Sequence, residues 1–281
     1  MAKILFPTDF SPTADHAFQY ALRVAHKLNV NINTLHVYQL PDISHVHLPT
    51  TLQEVYQSIE LEEFDNYRDH VPYLRQLSKK YGFENVEVKH AMVNGPVVQT
   101  ILQVAKEEEA ELIIMGTVGA SMFKEIFLGS VAGEIMEKAS CPVLAVPKEA
   151  VFDGRIDRIA ITTEFKEREK VALRRVLDFA RLFDAEVYCI NVDIAHVEAY
   201  RKNMDTFKKD FEQEPKLQFF VEDGSDINTT IVEFLKKHEI DLLAMLTHRR
   251  NFFQELFNFS RAKSMSYHTN FPILAIPSHT L

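Results

Sequence analysis

The sequence predicts an α/β protein made of two tandem copies of one doubly wound unit, each with a five-stranded parallel sheet. Three observations carry this. The chain aligns with itself without a gap over two long stretches. Short apolar runs rich in β-branched residues alternate with longer polar segments of helical period, the pattern of strands joined by helical crossovers. At 281 residues, the chain exceeds what one hydrophobic core ordinarily supports.

The repeat organises everything else. "KILFPTDFSPTADHAFQYALRVAHKLNVNINTLHV" (Lys3 to Val37) sets over "RIAITTEFKEREKVALRRVLDFARLFDAEVYCINV" (Arg158 to Val192). Asp9 falls on Glu164, Phe10 on Phe165 and Ala17 on Ala172. "LIIMGTVGASMFKEIFLGSVAGEIMEKASCPVLAVP" (Leu112 to Pro147) sets over "LLAMLTHRRNFFQELFNFSRAKSMSYHTNFPILAIP" (Leu242 to Pro277). Met115 meets Met245, Ser130 meets Ser260 and Pro142 meets Pro272. The join is the short polar stretch "KEAVFDG", so the expected domains are 1–148 and 155–281.

In the first copy, "AKILFPT" is a compact apolar run and reads as a buried strand. Ser11 and Pro12 then open a helix, as cap and first residue. Ala14, Ala17, Tyr20, Ala21, Val24 and Ala25 make its inner stripe. "NINTLHVY" is the second strand, followed by a long polar helical stretch from about Leu52 to Tyr81. "NVEVKHAMV" is the third strand, and Asn94-Gly95-Pro96 turns into a helix ending near Glu109. "ELIIMG" is the fourth strand. A helix from Gly129 to Ala139 leads to "CPVLAVP", the fifth. Helical crossovers imply parallel strands with helices on both faces. Ligands bind such sheets at the carboxyl ends of the strands.

Bulk properties exclude several classes. The chain carries 40 acidic against 31 basic residues, a net charge of −9, which argues against a general nucleic-acid or anionic-membrane binder. No apolar run approaches the roughly 20 residues that span a bilayer, and the N-terminus lacks a secretory pattern. Cys141 and Cys189 lie in apolar strand-like runs without C-x-x-C spacing and read as buried thiols. The expectation is a cytoplasmic protein. His45 and His47, near His36 in sequence, share a face if extended, but two loop histidines make no metal site.

The chemistry concentrates in "IIMGTVGASMFKEIFLGS" (Ile113 to Ser130). Gly116 and Gly119 follow a strand, and nine residues later come Gly129 and Ser130. A glycine at a strand end lets backbone N–H groups approach a phosphate. A helix starting at Gly129-Ser130 offers free N–H groups and a positive dipole end. There is no G-K-[ST] and hence no P-loop lysine. Asp9, at the end of the first strand, supplies a carboxylate for a ribose hydroxyl or a metal ion. The same residues are open to a plainer reading: strand-end glycines are common, Ser130 reads equally as a helix cap, and Asp9 as a turn residue.

Taken together, "KILFPTDFS", "LHV", "GTVG", "LGS" and "CPVLAVP" resemble the universal stress protein family over the whole chain, as two tandem copies. Its nucleotide-binding members carry G-x-x-G, nine residues, then G-[ST], and Gly116, Gly119, Gly129 and Ser130 fit that pattern. The resemblance implies strand order 3-2-1-4-5. It also implies a cofactor that is ATP or a related adenine nucleotide (ADP, AMP), with or without Mg. Pro7, Thr8 and Asp9 would border ribose and adenine, and Val37 would contact adenine through its backbone. Gly116, Gly119, Gly129, Ser130 and Val131 would hold the phosphates. Members often have a basic residue just before the second glycine, where this chain has Val118. Lys124 lies in the covering loop and reads as a solvated lysine.

The second copy departs from the pattern. Gly116, Gly119 and Gly129 become Leu246, Arg249 and Phe259, Asp9 becomes Glu164, and Ser260 survives. Side chains there block close backbone approach, so nucleotide is expected in the first half alone. His248, Arg249 and Arg250 read as a surface cluster. Family members commonly dimerise through the last strand, so Val143 to Val146 is expected antiparallel to Ile273 to Ile276, an intramolecular pseudo-dimer that buries two apolar edges. The chain would then be a monomer, or a homodimer through another face. The alternatives are an interaction scaffold or binder of another small ligand, and a slow ATPase. Nothing resembles a positioned base or arginine finger, so no catalytic residue is assigned.

Overall fold

The computed structural model describes residues 3–40, 49–117, 129–150, 153–194, 198–247 and 271–278. The first half runs β1 (Lys3–Pro7), α1 (Pro12–Leu28), β2 (Asn31–Tyr38), α2 (Pro49–Lys80), β3 (Val88–Asn94), α3 (Val97–Glu107), β4 (Leu112–Gly116), α4 (Ser130–Lys138) and β5 (Val143–Val146). The second runs β6 (Arg158–Thr162), α5 (Glu169–Phe183), β7 (Glu186–Asp193), α6 (Glu198–Phe207), a 3-10 turn at Lys208–Phe211, β8 (Leu217–Asp223), α7 (Ile227–Lys237), β9 (Leu242–Leu246) and β10 (Ile273–Ile276).

Each half has the strand order 3-2-1-4-5, and the two sheets join into one: β3-β2-β1-β4-β5-β10-β9-β6-β7-β8. Pairing is parallel within each half and antiparallel at the seam, where Ala145, Leu144 and Val143 face Ile273, Leu274 and Ala275. Leu144 and Leu274 are the same position of the repeat and face each other, so the pseudo-two-fold passes through that pair. The expected pairing is therefore present. Pro142 and Pro272 lie just before the paired segments, and their carbonyls accept from Ile113 and Leu243 in the neighbouring strands.

Both faces of the sheet are covered, as short all-apolar strands require. One core packs α1, α2, α5 and α6 through Phe18, Leu22, Leu74, Leu77, Leu173 and Phe207. The other packs α3, α4 and α7 through Ile101, Ile135, Met136, Ile231 and Leu235. Each core draws residues from both halves, so the halves share their interior. The join also takes part: Ala150 and Ile156 are buried, and the amides of Asp157 and Arg158 both donate to Asp241 Oδ2, at 2.7 and 2.9 Å.

The repeat reaches the backbone torsions. Six described non-glycine residues have positive φ, and they form three equivalent pairs: Phe10 and Phe165 (60° and 57°), Asn29 and Asp184 (55° and 60°), Glu109 and Glu239 (52° and 49°). Asn29 and Asp184 are left-handed C-caps of α1 and α5, which short polar side chains tolerate. A phenylalanine with positive φ is a genuine outlier, and both lie just past the first strand of their half. The halves differ most between their second and third strands. There α2 has 32 residues against 10 in α6.

Candidate functional site

The loop after β1 is braced by its own side chains, as short polar residues allow. The amide of Thr8 donates to the Leu35 carbonyl at 2.9 Å. Phe10 N donates to Thr8 Oγ1 at 3.1 Å, Ser11 N to Asp9 Oδ1 at 3.2 Å, and Ala14 N to Ser11 Oγ at 3.2 Å. The last bond is the expected cap of α1. Across the sheet, Thr117 N donates to Val146 O at 3.1 Å, and Gly129 N donates to Thr117 O at 2.6 Å. The chain that leaves β4 thus returns beside its own departure point. Gly129 caps α4 without a side-chain bond, and the first helical bond is Gly133 N to Gly129 O. The amides of Ser130, Val131 and Ala132 have no acceptor within the helix.

These segments surround a cavity of about 290 Å³ at the carboxyl ends of the first-half strands, near the lower end of ligand-cleft sizes. Pro7, Thr8, Asp9, Val37, Gly116, Gly129, Ser130 and Val131 all line it. The ninth expected residue, Gly119, lies outside the described residues, as do Val118, Lys124, His45, His47, His248, Arg249, Arg250, Phe259 and Ser260. Seven further residues line it that sequence reading missed: Ala14, Leu35, Val97, Ile101, Met115, Thr117 and Ala132. Leu35 and Val37 alternate on one strand face, and Val97 and Ile101 are four apart on α3. Those periodicities were visible, but which cavity they face depends on how α3 packs.

Asp9 is the one charged residue among the described lining residues. Attraction for an anion comes there from the α4 N-terminus, with its free amides and positive dipole end. Among the described residues, no group of three or more His, Cys, Asp or Glu is placed to hold a metal ion.

Gly116 has a packing role beside its place on the cavity wall. A Cβ built there would lie 3.0 Å from Thr13 Cγ2 and 3.2 Å from the Thr13 carbonyl carbon and oxygen. The first turn of α1 therefore rests directly on the end of β4. In the second half the aligned residue is Leu246, buried at 3% exposure. There α5 starts at Glu169, two residues later in the repeat than Pro12.

Behind the cavity, on the opposite face of the sheet, lies a polar cluster. His36 Nδ1 is 2.9 Å from the Thr8 carbonyl, and its Nε2 is 3.1 Å from Glu63 Oε2 on α2. The Phe10 ring stacks on His36 at 4.3 Å and lies 4.5 Å from the His70 ring. His70 Nε2 in turn is 2.9 Å from Asp15 Oδ1 on α1. In the second half Asn191 replaces His36, and its Nδ2 donates to the Thr163 carbonyl at 2.7 Å. The equivalent Phe165 ring packs against Phe207 and Phe219.

The second-half loop is braced differently. Glu169, the counterpart of Ala14, is 2% exposed. Its Oε2 accepts from Thr163 Oγ1 and Glu164 N, both at 2.8 Å, and from Lys166 N at 3.1 Å. Glu164, the counterpart of Asp9, pairs with Lys166 instead. Cys141 and Cys189 are both free and buried, and burial pushes the Cys141 thiol up to about 11.

Comparison with known proteins agrees with this geometry. The sequence model of the "Universal stress protein family" matches residues 1–147 and again residues 155–277. Universal stress protein MJ0577 of Methanocaldococcus jannaschii is 30% identical over 154 residues, 52% of this chain and 95% of that protein. Universal stress protein MJ0531 of the same organism is 29% identical over 147 residues, 52% of this chain and 82% of that one. A universal stress protein structure from Archaeoglobus fulgidus superposes with a TM-score of 0.70 at 18% identity, covering 98% of this chain and 96% of that one, a likeness of fold. With the same strand order in each half and both copies matched end to end, the chain belongs to the universal stress protein family.

Proposed function

We propose that the first half holds one adenine nucleotide, ATP or its relatives ADP and AMP, and that the second half serves as a built-in partner. One observation carries the reading. Residues chosen from separate stretches of sequence line a single cavity beside a helix N-terminus. In this reading Val37 and Leu35 flank the base, and Thr8 and Asp9 border the ribose. The amides at Gly116, Gly129, Ser130 and Val131 receive the phosphates, with Gly119 completing the cradle. Asp9 also supplies a carboxylate for a Mg²⁺ ion.

We read the protein as a stress-response nucleotide binder rather than an enzyme. Fast phosphoryl transfer needs a positioned base and cationic charge at the phosphates. Among the described lining residues there is no Lys, Arg or His. A cytoplasmic setting agrees with two free buried thiols.

Calorimetric titration with ATP, ADP and AMP tests the reading. One site per chain is expected. Two equivalent sites contradict the asymmetry, and no saturable binding of any of the three favours an interaction scaffold. Gly129→Phe, which copies the second half, should abolish binding and keep the fold. Phosphate release at typical kinase rates, about 1–100 per second, would overturn the binding-protein reading in favour of an ATPase.

A further inference from the structure

We propose that His36 is a positioning residue for the first-half site, and that His36 and His70 together form a proton-dependent latch fastening α2 to the loop after β1. The ligand's identity rests on the nucleotide reading; the latch itself rests on the geometry of the cluster. His36 joins the two strand ends that border the cavity. Its backbone is in β2, next to Val37, and its Nδ1 reaches the carbonyl of Thr8 at the end of β1. It does so from the far face of the sheet, so it shapes the cavity wall without touching what the cavity holds.

Both ring nitrogens of His36 meet acceptors: the Thr8 carbonyl at 2.9 Å and the Glu63 carboxylate at 3.1 Å. A neutral imidazole has one N–H and serves one of them; the imidazolium serves both. The second pair, His70 with Asp15, again ties α2 to the start of α1 and is strengthened by a proton on the ring. Between the two imidazoles lies Phe10, held at positive φ one residue past Asp9. The groups facing the latch are Glu63, Tyr67, His70 and Tyr73 from α2, Asp15 from α1, and Thr8 and Phe10 from the loop.

The second half is the internal control. It keeps the strained phenylalanine, Phe165, and the bond to the threonine carbonyl, from Asn191. Among its described residues no imidazole stands at either place: Phe207 and Phe219 pack the ring, and asparagine makes the bond. A loop of this shape is thus held there by the Glu169 carboxylate, with no described imidazole against it. The half that carries the cavity has two, each paired with a carboxylate. The consequence is that loss of a ring proton loosens α2 from the loop and weakens the hold on Thr8 and Asp9.

Two measurements test this, and they fail separately from the nucleotide reading. ATP is titrated into the wild type and into His36→Asn/His70→Asn at about pH 6 and pH 8. Subtraction removes the titration of ATP itself. The wild type should lose at least about threefold more affinity across that range than the double variant. His36→Asn alone should bind better than His36→Leu, because asparagine keeps the bond to Thr8 as Asn191 does to Thr163. Equal pH dependence in wild type and double variant overturns the latch, and equal binding by the asparagine and leucine variants overturns the positioning role. If the wild type binds no adenine nucleotide, that reading fails and the second measurement decides. Amide hydrogen exchange of the full chain, corrected for intrinsic rate, should show α2 and residues 8–15 less protected at pH 8 than at pH 6. The double variant should show low protection at both. Protection of the wild type that is independent of pH overturns the proposal.

Discussion

Leu144 and Leu274 face each other across the only antiparallel pairing among the described strands, and each is fully or nearly fully buried. They are one position of the repeat used twice, so the edge of each sheet is covered by the edge of the other. An unpaired apolar edge is an aggregation hazard, and here fusion of the halves removes it. Ala145→Lys places a long charged chain in that seam, where Ala145 is 0% exposed. Burying an unpaired charge belongs to the mutations that cost more than about 4 kcal/mol. Loss of the cooperative urea transition, or a rise in aggregation, is expected. A variant as stable as wild type would show that the seam contributes little.

Gly116 should fail first through packing. Gly116→Val puts its Cβ about 3 Å from the Thr13 backbone, and overpacking of this kind costs about 1–3 kcal/mol. The prediction is a lower denaturation midpoint without any ligand present, along with weaker nucleotide binding. A variant with normal stability and lost binding would assign the glycine to the ligand alone.

Glu169→Ala should destabilise the second half. It removes one buried acceptor from Thr163 Oγ1, Glu164 N and Lys166 N. Leaving buried donors unsatisfied costs about 1–3 kcal/mol, a fall of several degrees in melting temperature for a chain of this size. ATP affinity of the first half should be unchanged. An unaltered melting temperature would mean that water replaces the carboxylate.

Burial, and secondarily the charge of Arg75, holds the half-buried His90 ring below the ordinary imidazole value. A base with a lowered value in the folded state binds its proton more tightly when unfolded, so stability rises with pH. The folded chain should therefore lose stability on acidification from the unfolded value, near 6.5, toward the lower folded value. His90→Gln should flatten that part of the urea-midpoint profile. In the proposed latch, a proton on His36 or His70 instead strengthens its contact with Glu63 or Asp15. Profiles of the variants, subtracted from wild type, separate the two. A wild-type profile that His90→Gln leaves unchanged would rule out this contribution.

The architecture was legible in the sequence for specific reasons. The repeat is gapless where strands and their first helices recur, so each strand of one half reports on the other. Ser11-Pro12 and Asn94-Gly95-Pro96 are local signals, and α1 and α3 begin beside them. The prolines around "VLAV" and "ILAI" confined the seam to a few residues, and it is paired there. The candidate lining residues at strand ends were also readable, because parallel crossovers bring those ends together whatever the details of packing.

What the sequence determined by itself, then, was the set of local propensities: where strands and helices lie, that they occur twice, and which residues stand at the ends of the first and fourth strands. What only the tertiary structure decided were relations between residues far apart in the chain. Gly116 is packed under Thr13 because α1 descends onto β4, and in the second half, where Leu246 replaces it, α5 starts two residues later. Glu169 takes over the bracing of a loop that Asp9 serves in the first half. His36, in the predicted strand "NINTLHVY", reaches Thr8 and Glu63 because β1 pairs beside β2 and α2 packs over it. Periodicity specifies which way a side chain points along its own element; the partner it meets is set by non-local packing, which one sequence does not encode in any short window.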